Sequence, residues 1–368
     1  MWHGENFLWT MSIQLNRFYL GCAMLIVCYF PLPTYGQTTE IVILNKHETE
    51  KLRELLAENA AVRAMYDSIG VLADNGLTFN ANPQPYLSYE GMLPTHPDRI
   101  ATVKSLEDMD VVVNLIYASY GADSDLYAEK AKAYVLSWSS TYIPSGNPIN
   151  ENKLTALFWA YHLFRNRFSD KEKAQVEAWM KAIADRELAR PKTPNNNWEA
   201  KRLKIIATIG AIMNLEDLNN YAIEGFKTYI ESAYYADGTS NDLRERDALR
   251  YHVSGLTPTV AVFVNGVSFD DRYDLFDYMA LSGSSVERSV DYVIPYVTGE
   301  LQREEWTNSK AAIDKKRAEA GLAEYRPGVL YDPSHAIPLF EWVGFLRKTR
   351  TRFLVNFQPP IPHPGWVC

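Results

Sequence analysis

The sequence predicts a mainly α protein built from antiparallel helical hairpins curved around one central cleft, and three observations carry that prediction. Apolar residues recur at spacings of three and four over most of the chain, as at Leu52, Leu55, Leu56, Val62 and Met65. Runs with β-like character are confined to 41–44, 290–297 and 353–355, each short enough to be a loop or a fragment of helix. The helical runs are about 15 to 20 residues long with short breaks between them, which favours neighbours that return antiparallel.

In chain order, an extended stretch at 38–44 leads into a first helix over 47–68. Residues 78–97, rich in Pro, Asn and Tyr and containing Tyr86-Leu87-Ser88-Tyr89-Glu90-Gly91, read as a long surface loop. Loops of that length without structure of their own are often functional. Helices are then expected over 100–120, 124–141, 152–167, 170–190, 197–213, 215–235, 242–264 and 271–282. Pro144, Gly146 and Pro148 supply one break, and Pro191 and Pro194 another. The pattern continues through 285–295 and 303–320, and a helix over 334–348 precedes a Pro-rich tail. Segments 78–97 and 299–331 are the ones expected to close over the cleft.

No Pro-, Gly- or Ser-rich linker divides the chain, so its 368 residues read as a signal segment followed by one domain over 37–368. A hydrophobic content of 47% with 22% charged residues excludes a disordered chain. The net charge of −8 argues against non-specific nucleic-acid binding, which needs a basic surface, but leaves room for a local basic cleft that takes a polyanion. Near the start, Arg17 precedes an apolar run at 18–32 and a turn at 33–36, the layout of a secretory signal peptide over 1–36, with Met11 as an alternative start. The apolar run is short for a membrane span. The mature chain is therefore read as periplasmic or secreted, without a membrane segment, and as a monomer. Cys22 and Cys28 would leave with the signal, so Cys368 alone remains and an internal disulfide framework is excluded.

Two short segments carry chemistry: Asn195-Asn196-Asn197-Trp198, and the run from Asn241 to His252. On an unbroken helix the seven-residue interval from Arg244 to Tyr251 is two turns, which puts both on one face roughly 10 Å apart. Such a set suits elimination at a 4-linked uronate, in which the C5 proton is removed and the C4 oxygen expelled. The carboxylate must be neutralised so that carbanion-like charge can spread onto it, a task for Asn196, Asn197 and Arg244. A base must reach C5, and a tyrosine serves where a cation favours its phenolate, as Arg244 and Arg246 beside Tyr251 would. When H5 and O4 share a face of the sugar, as in mannuronate and glucuronate, one tyrosine can take the proton and return it to the leaving oxygen. Blander readings stand beside these: a helix N-cap for Asn195, a solvated pair with Asp247 for Arg244, and for His252 a direction about 100° from Tyr251 around the helix.

The two segments resemble the paired signatures of the alginate lyase family of secreted polysaccharide lyases. There an Asn-Asn-His or Asn-Asn-Trp segment opens one cleft helix, and an Asp-Gly turn precedes a helix carrying Arg and, seven residues on, Tyr-His. The matching residues are Asn196-Asn197-Trp198, Asp237-Gly238, Arg244 and Tyr251-His252, with weaker similarity over most of 80–265. The resemblance implies an incomplete α/α toroid and a lyase that uses no cofactor. It makes Asn196 and Asn197 the carboxylate ligands, Arg244 their assistant and Tyr251 base and acid; Arg246, His252, Trp198 and Tyr89 are expected beside them as substrate-binding residues. Asn197 departs from the histidine that many members carry; its amide can donate but cannot titrate, which leans away from guluronate and keeps glucuronan close behind mannuronate-rich alginate.

Two other classes compete. A glycoside hydrolase would draw on Asp237, Asp242, Glu245 and Asp247, but needs two carboxylates facing across the sugar. A non-catalytic sugar binder would stack rings on Trp138, Trp159, Trp179 and Trp198, although tryptophans at helical spacing are usually core. The histidines are scattered without metal-ligand spacing, so no metal is expected, and neither a Gly-rich phosphate loop nor a G-x-S-x-G elbow occurs.

Overall fold

The computed structural model describes residues 43–121, 125–190 and 193–346. The expected signal segment, the run 353–355 and all three cysteines lie outside them. The chain begins with α1 (Lys46–Glu58) and α2 (Ala60–Thr78), where one helix over 47–68 was expected. Asn59 makes the break: its N–H closes α1 on the Leu55 carbonyl, while its side-chain oxygen accepts the N–H groups of Ala61 and Val62. Asparagine is a poor helix interior and a good N-cap.

The loop before Pro97 is as anticipated, and α3 (Pro97–Gly121) and α4 (Asp125–Thr141) follow it. A short α5 (Pro148–Glu151) and α6 (Thr155–Phe164) are joined by a tight turn at 152–154. Next comes α7 (Asp170–Leu188), opened by a capping box in which Ser169 and Glu172 satisfy each other's N–H groups. The inner layer is built from α8 (Asn197–Met213) and α11 (Leu249–Gly266), with α9 (Glu216–Ala233) and α10 (Asn241–Arg246) between them in sequence. Burial explains the layering. Every residue of α6 from Thr155 to Tyr161 is buried, and α8 is buried on nearly all sides, as befits helices covered by neighbours all round. Helix α8 packs on α7, α9 and α11, while α3 packs on α2 and α4, so successive hairpins form the curved row of an incomplete α/α toroid.

The expected helix over 242–264 is two helices. Asp247 between α10 and α11 adopts a left-handed conformation (φ 48°, ψ 44°) and Ala248 is extended. Asp247 is held there by its neighbours: its carboxylate accepts from Arg303 Nη2 at 2.7 Å and the Asn308 N–H at 2.9 Å, and its carbonyl accepts from the Trp306 N–H at 2.8 Å. The helix expected over 271–282 shrinks to one turn at Asp271–Tyr273. The Tyr273 ring turns inward onto Gly266, where an added Cβ would lie 2.7 Å from it. The run 290–297 is helical, inside α12 (Val286–Val297). The helix expected over 303–320 is a two-residue strand β1 (Glu304–Glu305) followed by α13 (Ala312–Glu319); β1 pairs antiparallel with β2 (Val329–Leu330), and α14 (Ile337–Leu346) packs back on α11.

Candidate active site

The inner faces of α8 and α11 border a cleft of about 470 Å³. Its other walls are Tyr89-Glu90-Gly91, Arg99 of α3, Asn152 and Lys153, and a late wall carrying Ile313, Arg317, Tyr325, His335 and Pro338. Six cations border it, Arg99, Lys153, Lys201, Arg246, Arg250 and Arg317, against the single acid Glu90. An acidic chain thus carries a basic cleft, the arrangement that draws in a polyanion. Among the described lining residues no pair of carboxylates is assembled, which removes the basis of the hydrolase reading. Trp138, Trp159 and Trp179 are buried in the core, and of the four candidate tryptophans Trp198 reaches the cleft. Among the described residues no group of three or more His, Cys, Asp or Glu side chains is gathered as metal ligands.

The start of α8 divides the work of the Asn run. Asn196 is the N-cap, its side-chain oxygen accepting the Trp198 N–H at 3.1 Å, and it does not line the cleft. The cap is therefore one residue later than expected; the Asn195 carbonyl instead accepts from Asn241 Nδ2 at 2.8 Å. Asn197 does line the cleft. Its N–H donates to Asp242 Oδ2 at 2.7 Å, which fixes the first turn of α8. One turn on, Lys201 reaches the same cleft and donates to Ser254 Oγ at 3.1 Å. Asp242 is 2% exposed, and burial pushes its carboxyl up to about 7 against the pull of Lys201 and the Asn197 N–H. Helix α11 passes so close to it that a Cβ at Gly255 would sit 3.0 Å from Asp242 Oδ2.

Arg244 and Tyr251 are not brought together. The kink at Asp247 ends the shared helical face, and Arg244 turns outward: its guanidinium stacks 3.4 Å over the Tyr235 ring and donates to Asp237 Oδ2 at 2.8 Å and Thr239 Oγ1 at 2.9 Å. Arg246 takes the inward place. It lies 3.7 Å over the Tyr251 ring and holds buried Asp314 through two hydrogen bonds, one of 2.6 Å from Nε. Tyr251, in the first turn of α11, accepts from Arg317 Nη1 at 2.8 Å and meets the Trp306 ring edge-on at 5.7 Å.

His252 is no substrate ligand by position. It is fully buried between α11 and its neighbours; Nε2 donates to the Ser289 carbonyl at 3.0 Å, which leaves Nδ1 to accept from Ser240 Oγ at 2.7 Å. Burial pulls its pKa down to about 4, so the ring is neutral at ordinary pH and ties α11 to α12. Tyr89 does line the cleft, with Lys153 Nζ 3.9 Å and Arg99 Cζ 4.4 Å from its ring centre. Trp198 lies under Arg190 at 4.9 Å.

Residues absent from the sequence reading include Arg99, Lys153, Lys201, Arg250, Arg317, Tyr325 and His335. Lys201 had a usable signal, four residues after Asn197 on the same helical face. Arg250 sits inside the run from Asn241 to His252, directly before Tyr251, whereas the others arrive from separate segments and no local spacing announces them.

With this geometry in hand, the sequence matches the alginate lyase family over residues 49–303, more than half of the chain. No curated protein matches it. Among solved structures, an alginate lyase from Bacteroides ovatus is similar with a TM-score of 0.63 at 15% identity, over 85% of this chain and 94% of that one. Alginate lyase A1-III from Sphingomonas species A1 follows at 0.55 and 16%, over 78% and 91%. A variant of A1-III complexed with a tetrasaccharide gives 0.53 and 16%, over 78% and 90%. At such identities the likeness is one of fold.

Proposed function

Because this chain belongs to the alginate lyase family and is a polysaccharide lyase, we propose that it is exported and cleaves alginate, preferentially at mannuronate, by β-elimination with Tyr251 as base and acid. The observation that carries the reading is the tyrosine hydroxyl held by a guanidinium in a cleft bordered by six cations, with the Asn197 amide and Lys201 on the neighbouring helix.

A uronate bound there places its carboxylate against Asn197, with Lys201 or Arg246 as the charged partner in place of Arg244. Those donors stabilise the charge that develops on the carboxylate as the C5–H bond breaks. The Tyr251 phenolate takes H5 and becomes the phenol. The C5–H electron pair forms the C4=C5 double bond, and the C4–O bond breaks toward the leaving sugar. Tyr251 then returns its proton to that oxygen, so the phenolate is restored and no oxidant, reductant or cofactor is consumed. One residue can serve both steps only when H5 and O4 lie on the same face, as in mannuronate. Asn197, an amide, supplies no second titrating group for the opposite geometry.

The test is ultraviolet absorbance of the unsaturated product, followed with purified enzyme on polymannuronate, polyguluronate and glucuronan. The expected result is the fastest rise on polymannuronate and little on polyguluronate. Preference for polyguluronate would reject the single-tyrosine mechanism, and a faster rise on glucuronan would move the substrate to that polymer.

A further inference from the structure

We propose that Arg317, which lies beyond the region matched by the family, is a catalytic residue that holds the Tyr251 oxygen as the proton-accepting phenolate. The inference rests on Tyr251 being the base. Arg317 belongs to α13, whereas the family match ends at residue 303.

Four observations converge on it. Its Nη1 donates to Tyr251 Oη at 2.8 Å, and a charged donor binds a phenolate more strongly than a phenol. Its side chain is 12% exposed, so solvent and salt screen it weakly. The Tyr325 ring, 4.8 Å from Cζ, backs the guanidinium and limits its freedom. Lastly, the nearby acid is already engaged: Asp314 accepts two hydrogen bonds from Arg246 and one of 2.6 Å from Ser309 Oγ, and stands 3.8 Å from Arg317.

The charged and titratable groups around Tyr251 are Arg246 of α10, Asp314 and Arg317 of α13, and Tyr325 of the turn after it, with Lys201 of α8 and Arg250 of α11 on the same cleft. At the ring itself that is two guanidinium groups against one carboxylate. Arg246 sits over the ring face, and both it and Tyr325 also form a side-chain hydrogen bond with Tyr251, while Arg317 donates to the oxygen at 2.8 Å. Of the two tasks expected of Arg244, favouring the Tyr251 phenolate thus falls to a residue 66 positions after Tyr251.

The test compares Arg317→Met, Arg317→Gln and Arg317→Lys with wild type and Tyr251→Phe, reading kcat, KM and the pH dependence of kcat. Loss of the cation is expected to lower kcat by about 100-fold at neutral pH with a much smaller change in KM. The rising limb of the kcat profile is expected to move upward by about one unit or more in the Met and Gln variants, with partial return in Lys. A merely structural Arg317 would leave that limb in place, and this result overturns the proposal. Should the Met variant fail to fold, the Gln and Lys profiles decide it by the same criterion. Turnover retained in Tyr251→Phe would instead overturn the assignment of the base, whatever the Arg317 variants do.

Discussion

Arg244 and Arg246 stand two residues apart and face different worlds. Arg244 spends its guanidinium on Asp237, Thr239 and the Tyr235 ring, with 43% of its side chain exposed. Arg246 lies over Tyr251 and is locked by Asp314. Arg244→Ala is therefore expected to leave kcat/KM within about threefold and to cost under about 1 kcal/mol of stability, as exposed ion pairs do. Arg246→Ala should lower kcat/KM by about 100-fold, because it removes a cation from the reacting residue. Steady-state kinetics on the two variants checks this, and equal losses would reject it. The side chains of Tyr251, Asn197, Trp198, Tyr89 and Arg246 were legible in the sequence as cleft residues because each sits in a short segment with its own signal. Arg244 was misread because the spacing argument assumes an unbroken helix, and aspartate, one of the few residues that tolerates a left-handed backbone, breaks it at 247.

At the scale of elements, most helices were legible, whereas several breaks between them were not, and the helix expected over 271–282 shrinks to one turn. The expected span of α8, 197–213, is the observed one, since Pro194 and the Asn run mark its start and Asn214, in a left-handed conformation (φ 53°), its end. The split at Asn59 and the loss of 271–282 follow from a side-chain cap and from Tyr273 packing, neither of which a periodicity carries. The junction of α5 with α7 also makes a pH prediction. Glu151 Oε1 accepts from the Gly146 N–H at 3.2 Å and Tyr142 Oη at 3.1 Å, and it lies beside Glu187, which is fully buried. Burial, and then the neighbouring Glu151, push the Glu187 carboxyl from 4.5 up to about 9. The folded chain therefore holds a proton that the unfolded chain releases, so this contribution to stability is present below the unfolded value and is lost as pH rises toward the folded one. Tm should fall between about pH 5 and about pH 9, and Glu187→Gln should flatten that slope. A slope unchanged in Glu187→Gln would assign the pH dependence elsewhere.

For the whole molecule, the net charge of −8 conceals where the cations are. Six of them, drawn from positions 99 to 317, meet at one cleft, and only the curved row of helices brings them there. Composition can permit such a site but cannot locate it, and the wall contributed after residue 303 lies outside what the family resemblance covered. A polyanion bound largely by these charges should bind less well as salt rises, because screening at about 0.15 M already acts over about 8 Å. KM for the polymer is expected to climb several-fold between low salt and that ionic strength while kcat changes little; a salt-independent KM would argue against electrostatic capture. No helix among the described residues is long and apolar enough to cross a membrane. The central claim, elimination by Tyr251, is tested most directly by the Tyr251→Phe variant with polymannuronate, measuring ultraviolet absorbance and binding together. Loss of the absorbance rise by about a thousandfold or more, with binding of the polymer and the far-ultraviolet circular dichroism retained, is the expected outcome; a variant that still generates unsaturated product at a comparable rate would contradict it.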